Sequence, residues 1–171
     1  MSKLLTVCLV AVSLGAVFSG CASSRSTAIH AFEQKLNGYK ALCFTTVPMT
    51  AEDIEKERRD LEDQVLKLVE KQRIFGWTQI GSCDTSGTLN VQALITDIRK
   101  VSGTARFFIG AFAGEASLTS DVVFLDGATG DTLGVYTVTG KSGGSGMSGG
   151  TESAVKQTAK AISKLIKANY N

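Results

Sequence analysis

The stretch from Glu115 to Gly140 constrains the fold more than any other part of the chain. Ala116, Leu118, Val122 and Phe124 alternate with Glu115, Ser117, Thr119 and Asp121, the period-two pattern of a strand with one wet face. Asp126-Gly127-Ala128-Thr129-Gly130-Asp131 supplies turn chemistry, and Asp131 to Gly140 returns as a second strand. A hairpin of this kind must bury its apolar side, and the segment after it can provide the cover. From the capping residue Thr151 onward, Ala154, Val155, Thr158, Ala159, Ile162, Leu165 and Ile166 fall on one helical face. Lys156, Lys160, Lys164 and Lys167 form the opposite stripe, read here as a solvated flank that complements the helix dipole; contact with anionic headgroups is the alternative.

The preceding half repeats these two kinds of element. Tyr39 to Val47 is rich in β-branched and aromatic residues and reads as a strand closed by Pro48. Thr50-Ala51-Glu52-Asp53 is close to a capping box, and Ile54, Leu61, Val65 and Leu68 lie on one face of the helix it opens. The pairs Glu52/Lys56, Glu55/Arg59 and Asp63/Lys67 support the other face, so the charge run is read as a solvated flank, and Gly76 ends the helix. Trp77 to Cys83 is a short strand, and the Asp84 to Gly87 turn leads from it, as a hairpin, into a long strand from Thr88 to Val101. The expected fold is α+β: a mixed, mostly antiparallel sheet of about five strands with two helices, in the order β-α-β-β-β-β-α. With 171 residues the chain is long enough for one domain, placed at 39–171, and 18 Gly against one Pro suggests tight turns rather than disorder.

The N-terminus has a different character. Lys3 is followed by an apolar run from Leu4 to Phe18 and by Ser19-Gly20-Cys21, the layout of a secretory signal over residues 1–20. The run is short and punctuated by glycine, whereas a spanning helix needs about 20 mainly apolar residues. It resembles bacterial lipoprotein signals, in which the cysteine thiol takes up a diacylglyceryl group and becomes the new N-terminus. That resemblance implies lipidation at Cys21, and Ala22 in place of an Asp after it implies the outer membrane, facing the periplasm. Several acyl chains on one residue satisfy the rule that one chain anchors only marginally. Residues 21–38 read as the lipidated cysteine and a flexible tether, small and polar, with a reach of up to roughly 55 Å. His30, the single histidine, falls in that tether and is read as solvated. Removing Lys3 with the leader leaves 17 basic and 16 acidic side chains, a balance that gives no reason to expect nucleic acid.

Of four cysteines, Cys8 is in the leader and Cys21 ends it, which leaves Cys43 and Cys83. In an oxidising compartment this pair can close a disulfide; otherwise it is one buried and one exposed thiol.

Two connections are unusual. Residues 103–114 contain Arg106, Phe107, Phe108, Ile109 and Phe112, too apolar for an ordinary exposed loop. They are candidates for packing on the core, a subunit contact or contact with a lipid surface. Residues 140–150 contain six glycines before the final helix, yet lack the Gly-Lys-Ser/Thr ending of a phosphate loop. The acidic turn at 126–131 lacks the spacing of a calcium loop. If the strands from Trp77 onward are successive hairpins, both unusual loops lie at one end of the sheet. If the first strand runs parallel to the second, it starts at that same end, so the tether enters beside both loops.

Val101-Ser102-Gly103-Thr104-Ala105-Arg106, the glycines at 110 and 114, Leu125-Asp126 with Thr129-Gly130, and the glycines from 143 to 150 before a helix resemble a known family. It is the bacterial lipoproteins grouped as domain of unknown function 4410, with a resemblance spanning roughly residues 38–170 that implies no known activity. More distantly, the helix-flanked sheet is similar to envelope lipoproteins such as the curli-secretion channel and the penicillin-binding-protein activators.

An enzyme reading lacks its parts: there is no second histidine, no nucleophile–base constellation and no metal-ligand spacing. Arg106 with Asp97 or Asp121 could build a polar site, but Arg and Asp on strands more often form surface pairs. The expectation is a non-enzymatic binding or assembly accessory of the envelope, without cofactor, attached to the membrane through its lipid and engaging an envelope protein. A subunit of an oligomeric, secretion- or pore-like membrane-associated assembly is the alternative, and a small-ligand binder or hydrolase ranks below both.

Overall fold

A computed structural model of the chain describes residues 22–50, 53–101, 114–143 and 150–170. The alternating segment forms β5 (Ser117–Asp126), which pairs antiparallel with β6 (Thr132–Lys141). On its other side β5 pairs antiparallel with β4 (Thr88–Arg99). β2 (Ala41–Pro48) runs parallel to β4 and also to β3 (Trp77–Ile80). Two helices, α1 (Glu55–Gln72) and α2 (Thr151–Tyr170), complete the α+β fold.

A sixth strand lies where the sequence suggests a tether. β1 (Ser23–His30) pairs antiparallel with β6, and the sheet order is β1-β6-β5-β4-β2-β3. All eight residues of β1 are exposed. Backbone bonds to β6 hold it, so no apolar alternation marks it in the sequence. The rest of the presumed tether is also ordered into the domain. Leu36 is fully buried, its N–H donates to the Asn169 carbonyl (2.8 Å), and the Phe32 ring lies 4.8 Å from Phe124 and 5.2 Å from Tyr136. Residues 31–40 therefore lead from one edge of the sheet past the C-terminal end of α2 to β2.

The expected hairpin between Trp77 and Val101 is absent, because β2 stands between β3 and β4 and all three run the same way. β3 ends at Ile80, and the segment after it turns onto the sheet face away from the helices. There Cys83 is bonded to Cys43, with Cα atoms 6.1 Å apart. The Asn90 amide holds the Cys83 backbone from both sides, accepting from its N–H (3.0 Å) and donating to its carbonyl (2.8 Å). Gly127 fits against this segment: a Cβ there would lie 2.7 Å from the Thr88 carbonyl oxygen and 2.9 Å from that of Thr85.

Both helices cover one face of the sheet. Phe44, Val91, Ile95, Leu118 and Phe124 meet Leu61, Val65 and Val69 of α1 and Val155, Ile162 and Ile166 of α2 in one core. Each such side chain contributes about 1.5–3 kcal/mol by leaving water. α1 begins at Glu55, later than Thr50 would place it, with Ile54 at the cap position and no side-chain cap. Lys100 instead holds the entering chain, its Nζ donating to the Asp53 carbonyl at 2.6 Å. α1 ends at Gln72, ahead of Gly76, where Arg73 takes a left-handed conformation (φ 56°) and its N–H returns to the Glu70 carbonyl.

The acidic turn has a structural task. Asp126 Oδ1 accepts from the N–H groups of Ala128 (2.8 Å) and Thr129 (3.0 Å), and its Oδ2 accepts from the Tyr39 hydroxyl (2.9 Å). These bonds, led by the Thr129 N–H, hold the Asp126 carboxyl below its ordinary value. Burial, followed by the bond to Asp126, raises Tyr39 from 10.0 to about 12. The two groups limit stability at opposite ends of the pH scale. Asp126, with a depressed folded value, contributes above about pH 4, and its contribution disappears as pH falls through that folded value. Tyr39, with a raised value, contributes below pH 10.0, and its contribution disappears as pH rises towards 12. Asp126→Asn is expected to flatten the acid limb of a stability–pH curve and to move the highest tyrosinate transition downward in ultraviolet titration. An unchanged acid limb would show that other carboxylates dominate it.

Candidate functional site: the loop-bearing end of the domain

The strand directions collect several chain segments at one end of the sheet. β4 ends there at Arg99 and β5 begins there at Ser117, opposite it. β6 ends there at Lys141, which faces both Ser117 of β5 and Ser23 of β1. α2 starts beside them: a Cβ on Gly150 would lie 2.7 Å from the Val101 carbonyl oxygen. The stems of the two unusual loops are hydrogen-bonded together. Ser142 N–H donates to the Ala116 carbonyl (2.9 Å), and Ala116 N–H donates to the Ser142 hydroxyl (2.9 Å). Gly114, at φ 77°, sits so close to Arg99 that a Cβ would come within 2.7 Å of its guanidinium.

β1 starts at this end, so Ala22, which precedes it, lies here too. The expected gathering of N-terminus and loops is thus reached by a different route. β2, which was expected to start at this end, ends here, because it runs parallel to β4; the unforeseen β1 brings the N-terminus back. Cys21 and the candidate contact residues Arg106, Phe107, Phe108, Ile109 and Phe112 lie outside the described residues. The end of β2 adds exposed apolar surface, with Val47 at 36% and Met49 at 62% exposure.

The start of α1 is braced to β2 and β4 at the same end. Glu62 is buried and its Oε1 accepts from Thr46 N–H (3.0 Å), the Thr46 hydroxyl (2.7 Å) and Arg58 (2.8 Å). Arg58 also donates to Glu55, as Arg59 does, and these guanidinium bonds bring the Glu55 carboxyl from 4.5 down to about 2. Lys100 pairs with Glu57 (3.2 Å), and Lys56 with Asp60 (3.3 Å). An open cleft of about 550 Å³ is lined by Asp53, Glu55, Lys56, Glu57, Arg59, Asp60 and Lys100. Its charged groups are largely matched to one another, which is the arrangement of a structural brace. The sequence carried a marker for it: Glu62 is an acid inside the apolar stripe of α1, one helical turn from Arg58.

Asp121 accepts from the Thr137 hydroxyl (2.7 Å), Asp97 is exposed on β4, and Arg106 falls outside the described residues. His30 ends β1, half exposed, 3.9 Å from Glu33. Among the described residues no group of three or more His, Cys, Asp or Glu side chains is placed to hold a metal ion, and no helix is long and apolar enough to cross a membrane.

Among the described residues a six-stranded mixed sheet with two helices on one face, and the stems of both unusual loops at one end, defines the class of fold. The chain belongs to the family described as domain of unknown function (DUF4410), whose profile matches residues 39–146. No curated protein matches it. Among solved structures it is similar to PelC from Paraburkholderia phytofirmans, which forms a dodecamer. A point variant of PelC aligns with TM-score 0.54 at 17% identity, and a second PelC structure with 0.53 at 16%; each alignment covers 84% of this chain and 96% of that one. At such identities the likeness is one of fold. The hypothetical protein CT253 from Chlamydia trachomatis aligns with TM-score 0.46 at 8% identity, covering 77% of this chain and 99% of that one.

Proposed function

We propose that this protein is an outer-membrane lipoprotein facing the periplasm, a non-enzymatic assembly component of the envelope that works as a homo-oligomer. The observation that carries the reading is the direction of β1: it starts at Ser23, opposite Lys141, so the residue after Cys21 stands beside the stems of both unusual loops. A lipid on Cys21 then directs the apolar 103–114 segment and exposed Val47 and Met49 towards the membrane or a neighbouring subunit. The fold shared with a dodecameric protein supports the oligomeric part. The mutual pairing of the charges in the cleft at the start of α1 suits a structural brace, which favours assembly over catalysis in this reading.

Cys21→Ser tests the anchor. The wild-type chain is expected to incorporate palmitate and fractionate with the outer membrane, and the variant to lose both. A variant that stays with the outer membrane unlabelled would defeat the lipoprotein reading. The native mass of the detergent-extracted chain tests the oligomer, since a single-chain mass contradicts it.

A further inference from the structure

The two free edges of the sheet complement one another. Among the described residues β1 and β3 each pair on one side only. Of the five exposed large apolar side chains among the described residues, three lie on these edges: Ile29 (63%), Trp77 (47%) and Ile80 (46%). Ile80 is in register with core residue Phe44, and the Thr78 hydroxyl reaches Glu70 of α1 (2.8 Å), so both lie on the helix-bearing face. Trp77 and Gln79 lie on the bare face, in register with Ala41 and Cys43.

At the other edge the sheet extends past α2. Ser24 and Ser26, in register with Gly140 and Val138, line a groove of about 280 Å³ with Ala161, Lys164, Leu165 and Ala168. It offers small side chains and an apolar floor where β3 offers a projecting isoleucine.

Strand direction selects the occupant. β1 leaves the loop-bearing end and β3 runs towards it. Copies related by rotation about an axis along the strands keep their loop-bearing ends level. β3 of one copy then stands antiparallel to β1 of the next, a geometry that needs no crossover and pairs well. The contact joins two different surfaces, so it repeats from copy to copy and gives a ring where the rotation closes. Antiparallel pairing of β1 with its own copy would instead invert one domain and send the two N-termini to opposite ends. Two chains anchored at Cys21 in one membrane cannot adopt that arrangement.

We propose that β3 of one copy pairs antiparallel with β1 of the next, seating Ile80 in the groove beside Ser26 and Leu165 and setting Gln79 opposite Thr27 on the bare face, with Trp77 next along that face. This rests on the homo-oligomeric, lipid-anchored reading above and adds the surfaces that mediate it.

The test uses full-length chains in their membrane. Thr27→Cys and Gln79→Cys, both exposed positions, are placed in separately tagged copies produced together and treated with a short bis-maleimide. Mixed dimers are expected at least about tenfold above either same-variant dimer, as a contact between unlike surfaces requires. Dominant same-variant dimers would overturn the pairing. A multimeric native mass without mixed dimers would also overturn it, while leaving the oligomeric reading intact; a single-chain mass would remove both. Combined Trp77→Glu and Ile80→Glu should reduce the native mass to one chain with an unchanged far-ultraviolet circular dichroism spectrum. A multimer that survives these two changes rules the interface out.

Discussion

Replacing Cys43 and Cys83 together with alanine is expected to destabilise the domain by about 4 kcal/mol, the loop-closure entropy of a bridge with a sequence separation of 40. The bond ties buried β2 to a segment outside regular secondary structure, on the sheet face opposite the helices. Without it, residues 81–87 are held by main-chain bonds at their ends, from Gly81 N–H to the Phe44 carbonyl and from Lys40 N–H to the Gly87 carbonyl, and by the Asn90 amide and the fit of Gly127. In thermal melts the double variant should fall by about 10 °C, and reduced wild type should follow it. A drop below about 2 °C would mean that these other contacts carry the segment without the bridge.

Gly140→Val is expected to cost about 3 kcal/mol by overpacking, and Gly140→Ala nearly as much. α2 crosses β6 at this glycine, and a Cβ would run into the Ala154 carbonyl oxygen and the Thr158 backbone nitrogen and hydroxyl. The helix cannot retreat cheaply. Thr158 Oγ1 is bonded to the Leu118 carbonyl (3.2 Å), and withdrawal would uncover Val155 and Ile162. Gly130→Ala is the natural comparison: at φ 75° it is strained but has open space, for a cost of about 1 kcal/mol. Chemical denaturation of the two alanine variants should separate them clearly. Equal losses would show that the α2–β6 contact relaxes and that Gly140 is not the point of closest approach.

Neither effect is legible in composition. Gly140 sits within a glycine-rich stretch of sequence, where it looks like part of a loop, but it ends β6 under a helix. The Cys43–Cys83 pairing stood open in the sequence, because two cysteines specify a bond only once their strands are placed.

Where side-chain pattern and burial coincide, the sequence by itself determined the structure. β5, β6 and α2 repeat their apolar periodicity against the core, and β2 and β4 are rich in residues that suit a buried pleat. The α+β class and the antiparallel β4-β5-β6 unit follow from those segments. The tertiary structure alone decided the two edges. β1 is held by main-chain bonds that any sequence can make, and although β3 joins β2 in parallel across α1, as a strand–helix–strand order allows, the insertion of β2 between β3 and β4 that leaves β3 at the edge has no local sequence marker. Those same edges fix the polarity of the domain, because the direction of β1 determines that the residue after Cys21 and the stems of both loops share one end.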